Sequence, residues 1–317
     1  MDIFYYSNTK IFKKITKQEK ENNMSNWNDI FNSIQPLNAL EELKKDYFRK
    51  LTQYTKRNAI VYFSAWQQKS NVSGKFSIED DDRNGFMNAL YKMDASKGLD
   101  LILHTPGGDT AATQSIVNYL YNFFNGDIRV IVPHTAMSAG TMIACASKEI
   151  VMAKHSNLGP VDPQINGVPA YEYLKMYKDA LNDIKTNNNV IYWTNVLSKY
   201  TPTFFGICNN AIASARTILT SWLNREMLKD NSNGIKKTVD YLLDYNTHLL
   251  HNNRLDIDTL SSNTCLKIKL LEDDDKLQEY VLSLYHCYQI MSSMTQISKI
   301  IENNKGVKFI KNVVTKS

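Results

Sequence analysis

Two short turns in this chain carry the residue types that acyl-transfer chemistry needs. Pro106-Gly107-Gly108-Asp109 follows the apolar run Leu101–Leu103, and Met137-Ser138-Ala139-Gly140-Thr141 follows Val130–Val132. Each turn precedes a stretch with helical spacing. A strand–turn–helix unit presents backbone N–H groups at a helix start, where negative charge is stabilised. One turn can therefore supply an oxyanion hole and the other a nucleophile. Glycine permits the positive φ that turns an N–H into a cavity, which makes Gly107 and Gly108 donor candidates, with the Ala139 N–H as their partner. Ser138, flanked by small residues, is the nucleophile candidate. The simpler alternatives are a serine N-cap and a plain Pro-Gly-Gly turn. The chain between the turns suffices for one helix and one strand, so both turns can lie side by side at the carboxyl ends of adjacent parallel strands.

A serine hydroxyl needs a base and a fixed orientation. His134 stands four residues before Ser138, and His155 precedes the loop Gly159-Pro160-Val161-Asp162-Pro163-Gln164. Either histidine suits base chemistry at neutral pH, although a structural hydrogen bond is the commoner role. Asp162, between prolines, is placed to orient the loop or a base. Lys175, Lys178 and Lys185 follow on the next helical stretch. A lysine base must be neutral, which requires burial or a neighbouring cation. Ala170, Leu174, Tyr177, Leu181 and Ile184 form the apolar stripe there; Lys178 and Lys185 flank it and Lys175 points more outward.

Around these turns, strand and helix patterns alternate. Strands are expected over 58–66, 101–105, 128–133 and 149–153, with helices over 109–124 and 138–147, which predicts parallel βαβ units. Ser77 and the acidic run Asp80–Asp82 suit the start of a further helix. Beyond Pro169 the spacing turns helical over about 170–187, 189–200, 203–229 and 234–247, with a last helix near 275–293. Three segments are expected: a helical N-terminal arm (1–57), an α/β core (58–200) and a helical C-terminal region (201–317). No GxGxxG or GxxxxGK[ST] is present, which removes dinucleotide and P-loop functions.

Three segments, HTPGGD (104–109), PHTAMSAGTMIA (133–144) and HSNLGPVDPQ (155–164), resemble the ClpP/crotonase superfamily. The closer likeness is to signal-peptide-peptidase-A-like enzymes and the serine dehydrogenase proteinases, strongest over 58–174. NTHLLHNNRLDIDTL (246–260) has the His-then-acidic look of that family. The resemblance implies a ClpP/crotonase-like ββα/βαβ superhelix and a serine protease acting on a peptide or protein substrate without ATP. It implies no cofactor or metal, and a homo-oligomer. Ser138 is then the nucleophile, with Gly107, Gly108 and Ala139 lining the oxyanion hole. In ClpP enzymes a histidine stands where this chain has Asp162; signal-peptide-peptidase-like enzymes use a lysine from the following helix. The resemblance puts that lysine at Lys175, with Lys178 and His155 as alternatives. An inactive scaffold of the same fold and a crotonase-like acyl-CoA enzyme are the competing functions; the latter lacks a convincing Glu pair at the corresponding turns.

The 317 residues carry 43% hydrophobic and 22% charged residues and a net charge of +5, the balance of a globular protein with a substantial core. The positive charge is dispersed, which argues against nucleic-acid binding. Cys145, Cys208, Cys265 and Cys287 form no CxxC, consistent with a reducing cytoplasm. No apolar run reaches membrane-spanning length, and the first residues lack a signal-peptide core. Met24 is an alternative start to Met1.

Overall fold

The computed structural model describes residues 37–69 and 75–313. The first part of the expected N-terminal arm therefore lies outside the described residues. In chain order the elements that matter here are α1 (Leu37–Thr55), β1 (Asn58–Ser64), α2 (Asp81–Leu90), β2 (Leu99–His104), α3 (Thr110–Phe124), β3 (Ile128–Val132), β4 (Thr135–Ala136), α4 (Ala139–Cys145), β5 (Glu149–Met152) and β6 (Asn157–Leu158). The hairpin β7 (Gln164–Ile165) and β8 (Val168–Pro169) follows. Then come α5 (Ala170–Asn187), α6 (Val190–Leu197), α7 (Phe204–Arg225), α8 (Ser232–Leu243), α9 (Tyr245–His248), α10 (Ile257–Asn263), β9 (Ile268–Leu270), α11 (Asp275–Met294), β10 (Ile297–Asn303) and β11 (Lys308–Asn312).

Seven strands form one sheet in the order β11-β10-β1-β2-β3-β5-β9. The run β1, β2, β3, β5, β9 is parallel, and β10 and β11 add antiparallel at one edge. Parallel strands covered on both faces read as continuous apolar runs, and every residue of β1 and β2 is buried. Successive side chains alternate between two core layers. Ile60, Tyr62, Leu101, Leu103, Val130 and Ile150 face α2, α3, α4 and the C-terminal half of α7. Val61, Phe63, Ile102, Ile131 and Val151 face α1 and α11.

The mixed α/β class, the parallel strands and the helical stretch after Pro169 match the sequence expectation. The C-terminal strands do not: β9, β10 and β11 went unread and complete the sheet that begins with β1. Residues from two of the three expected segments, 58–200 and 201–317, thus contribute strands to it. The part of the N-terminal arm that is described, α1, packs on its own chain through Leu40, Tyr47, Phe48 and Leu51. It also carries Lys44, buried against Glu302 of β10 at 2.8 Å. No helix among the described residues is long and apolar enough to cross a membrane.

Candidate active site

The carboxyl ends of the parallel strands place the two turns together. Thr105, just past β2, accepts from Met137 N and donates its own N–H to Thr135 O, at 3.0 and 3.1 Å. These bonds clamp the segment before Ser138 onto the segment before Gly107. The contact is close: a Cβ on Gly107 would sit 2.6 Å from Met137 O and 2.9 Å from Ser138 Cβ. Gly107 has φ +92°, so glycine is required there by backbone geometry and by space alike. Gly108 pairs across to Ile78: Ile78 N donates to Gly107 O at 2.8 Å, and Asp109 N donates to Ile78 O at 2.9 Å. Asp109 then caps α3 by accepting from Ala112 N at 2.7 Å.

Ser138 directly precedes α4 with φ +50° and ψ −112°, and its side chain makes no cap hydrogen bond. A non-glycine residue with this backbone stores strain on the order of 1–3 kcal/mol and persists only where its surroundings hold it. A capping serine would instead have extended φ/ψ and bond the second or third N–H of the helix. The turn thus exposes a hydroxyl that, among the described residues, has no hydrogen-bond partner. Gly140 completes the tight approach, since a Cβ there would lie 2.5 Å from Thr105 Cγ2.

The N–H groups around Ser138 divide into used and unused. Gly107 N–H donates to Thr105 Oγ1 at 3.2 Å. Among the described residues the N–H groups of Gly108 and Ala139 meet no acceptor. Two unused donors on adjoining turns, next to a free hydroxyl, form the arrangement that stabilises a developing oxyanion.

Asp162 lies in the loop that leaves β6. It is buried; its Oδ1 accepts from His251 Nδ1 at 2.8 Å and its Oδ2 from Gln164 Nε2 at 2.6 Å. Both carboxylate oxygens are therefore occupied, and one of them holds an imidazole. His251, between α9 and α10, was not singled out from the sequence. It stands 89 residues after Asp162, and only its place within NTHLLHNNRLDIDTL hinted at a role.

The other candidates lie elsewhere. Lys175 and Lys178 are exposed on α5, and Lys185 is exposed near its end. Among the described residues none of the three forms an ion pair. His155 is exposed in the turn after β5, its ring 6.1 Å from that of His134. His134 bonds Thr135 Oγ1 through Nδ1, and burial, then the neighbouring His155, holds it below the usual histidine range. His104, at the end of β2, is buried between Trp66 and Tyr285. Burial first, then His134, pushes it well below the usual range. These three rings form an aromatic group on the α11 side of the sheet. Among the described residues no cluster of His, Cys, Asp or Glu is arranged to hold a metal ion, and all four cysteines are free.

A parallel sheet with a strained serine turn clamped against a Gly-Gly turn at its carboxyl edge defines an α/β protein of ClpP-like type. The chain belongs to the ClpP-like SDH-type serine proteinases, whose family model matches residues 37–246. Two uncharacterised proteins of Methanocaldococcus jannaschii are 39% identical over 126 residues (38% of this chain, 43% of the relative) and 41% identical over 101 residues (32% and 34%). The ATP-dependent Clp protease proteolytic subunit of Streptococcus suis is 39% identical over 70 residues, 21% of this chain and 35% of the relative. The chain thus spans less than half the length of the curated relatives it matches. A solved membrane-bound stomatin-specific protease overlaps 61% of this chain and 74% of its own, at 15% identity and a TM-score of 0.34.

Proposed function

We propose that this chain hydrolyses peptide bonds through an acyl-enzyme on Ser138, without ATP and without a cofactor. The observation that carries the reading is the Ser138 turn itself: positive φ, a free hydroxyl, and two unused N–H groups on adjoining turns. Ser138 Oγ attacks the scissile carbonyl carbon. The N–H groups of Gly108 and Ala139 stabilise the oxyanion, and Gly107 lets the two turns approach. Loss of one such donor costs about 2.7–4 kcal/mol of transition-state stabilisation. The base receives the hydroxyl proton and returns it to the departing amine. Water then releases the acyl group. The chain also self-associates, in the manner common to closed symmetric assemblies.

Intact mass after treatment with a fluorophosphonate tests the nucleophile. The wild type is expected to gain one phosphonyl adduct and Ser138→Ala none, and Ser138→Ala is expected to lose hydrolysis of a protein substrate such as casein. An unlabelled wild type of native fold favours the scaffold reading, and an adduct retained in Ser138→Ala removes Ser138 from the mechanism.

A further inference from the structure

We propose that Lys299 and Asp82 are positioning residues for the oxyanion donor: they hold Ile78, and Ile78 aims the Gly108 N–H. This rests on the reading of Ser138 as nucleophile. Lys299 on β10 and Asp82 in the first turn of α2 are 217 residues apart in sequence and both buried. The ammonium has one acceptor for each of its protons: Asp82 Oδ1 at 2.8 Å, Asp82 Oδ2 at 2.7 Å and Ser77 O at 2.7 Å. Asp82 Oδ2 also accepts from Tyr62 OH at 2.8 Å and from Glu79 N at 3.0 Å. The ion pair therefore grips the main chain on both sides of Ile78, by the carbonyl before it and the N–H after it. Ser64 Oγ adds a hold one residue earlier, donating to Phe76 O at 2.7 Å.

Ile78 passes this hold to the Gly-Gly turn. A trans peptide is planar, and its C=O and N–H point in opposite directions. The carbonyl of Gly107 and the N–H of Gly108 belong to one such unit. Ile78 N donates to Gly107 O at 2.8 Å, so it fixes the direction in which the Gly108 N–H points, away from Ile78. That N–H is one of the two donors with no acceptor among the described residues. The bond from Asp109 N to Ile78 O, at 2.9 Å, secures the turn on its other side.

The charges supply place more than stability. A buried ion pair is often no more stabilising than an apolar pair of similar volume. Such an apolar pair would fill the space, but it could not bind Ser77 O and Glu79 N. Oxyanion stabilisation depends on donors that are set before the charge develops, within a tolerance of about 0.5 Å. Two backbone bonds on either side of Ile78, both made by one closed ion pair, meet that demand.

The test measures fluorophosphonate labelling against reagent concentration, which separates the maximal rate from the half-saturating concentration. Thermal midpoints are measured in parallel. Asp82→Leu combined with Lys299→Met removes both charges together, so no buried ion is left alone. This paired variant is expected to lower the maximal rate about 10²-fold, with the half-saturating concentration and the midpoint near their wild-type values. Combined with Gly108→Ala it is expected to add no further loss, since both changes act on the same N–H. Tyr62→Phe takes one donor from Asp82 and keeps the ion pair. It is expected to lower the maximal rate by a smaller factor, again without adding to Gly108→Ala. A wild-type maximal rate in the paired variant, while Ser138→Ala stays unlabelled, overturns the positioning role and leaves the nucleophile standing. So does a loss that multiplies with that of Gly108→Ala. If the paired variant does not fold, Tyr62→Phe decides, and a wild-type maximal rate there overturns the role. A wild type that takes no label, or Ser138→Ala labelled at the wild-type rate, overturns the nucleophile itself.

Discussion

At the scale of the residue, Ser138 shows that chemistry and backbone strain share one position. Its φ of +50° and ψ of −112° fall where glycine is at ease and serine is not. Ser138→Ala keeps the Cβ and keeps the strain, and since no cap bond is lost its stability should match the wild type. Ser138→Gly should release the strain at the cost of added chain entropy, leaving it about 1 kcal/mol more stable than Ser138→Ala. Urea denaturation of the two inactive variants measures this directly; equal midpoints would mean that the turn stores no strain.

His104 makes a second prediction at the same scale. Its buried ring is held neutral, well below the usual histidine range. The unfolded chain then binds this proton first, at about pH 6.5. The stabilising contribution is complete above that pH and is lost as pH falls from there toward the depressed folded value. The slope reaches about 1.4 kcal/mol per pH unit for one group. His104→Phe keeps a ring against Trp66 and Phe63, and should lose less stability between pH 7.5 and 5.5 than the wild type. Parallel slopes for the two proteins would remove His104 from the acid response.

At the scale of the element, the helices and parallel strands near the site were readable because their apolar periodicity is undiluted. α5 was expected over 170–187 and runs Ala170–Asn187; α11 was expected over 275–293 and runs Asp275–Met294. β10 was not readable, because a strand buried on both faces shows no alternation, and its polar residues are spent on internal partners. Lys299 there is buried against Asp82 at 2.7 Å, an aspartate whose acidic run was read only as the start of a helix. Ser77 likewise caps nothing on α2, and its carbonyl accepts from Lys299 Nζ at 2.7 Å. The two turns could be read because glycine and serine announce turn geometry locally. The Asp162–His251 pair could not, because a contact across 89 residues leaves no periodic trace. The Gly108 bridge yields a prediction at this scale. A Cβ at 108 would lie 2.3 Å from Ile78 N and 2.4 Å from Ile78 O. Gly108→Ala must therefore push the strand end off Ile78 and carry the oxyanion N–H with it. A fall of about 10²-fold or more in kcat is expected, with secondary structure kept in circular dichroism. Unchanged kinetics would mean that this N–H takes no part.

At the scale of the whole molecule, the distribution of apolar surface bears on assembly. Trp222 belongs to the chain's own core. Phe204 and Phe205 pack against Tyr173, Tyr177 and Tyr200 in and between the helices beyond the sheet. Removing the chain through Lys50 would strip Leu40, Tyr47 and Phe48 from the layer beneath the sheet, so that deletion tests folding and not association. Among the described residues one stretch of exposed apolar surface is on α6 and its neighbours: Ile191 is 82% exposed, Tyr192 61% and Ile207 53%, and α6 has no buried residue. An exposed apolar stretch of this kind suits an interface between copies of the chain, and a stable interface buries on the order of 1,200 Å² or more. Light scattering at micromolar concentration should give a multiple of 36.4 kDa. Ile191→Glu combined with Tyr192→Glu should shift the mass toward the monomer, with the thermal midpoint little changed because neither side chain is in the core. A wild type that runs as a monomer while Ser138 takes up the fluorophosphonate would show that the site needs no second copy and that this surface serves another purpose.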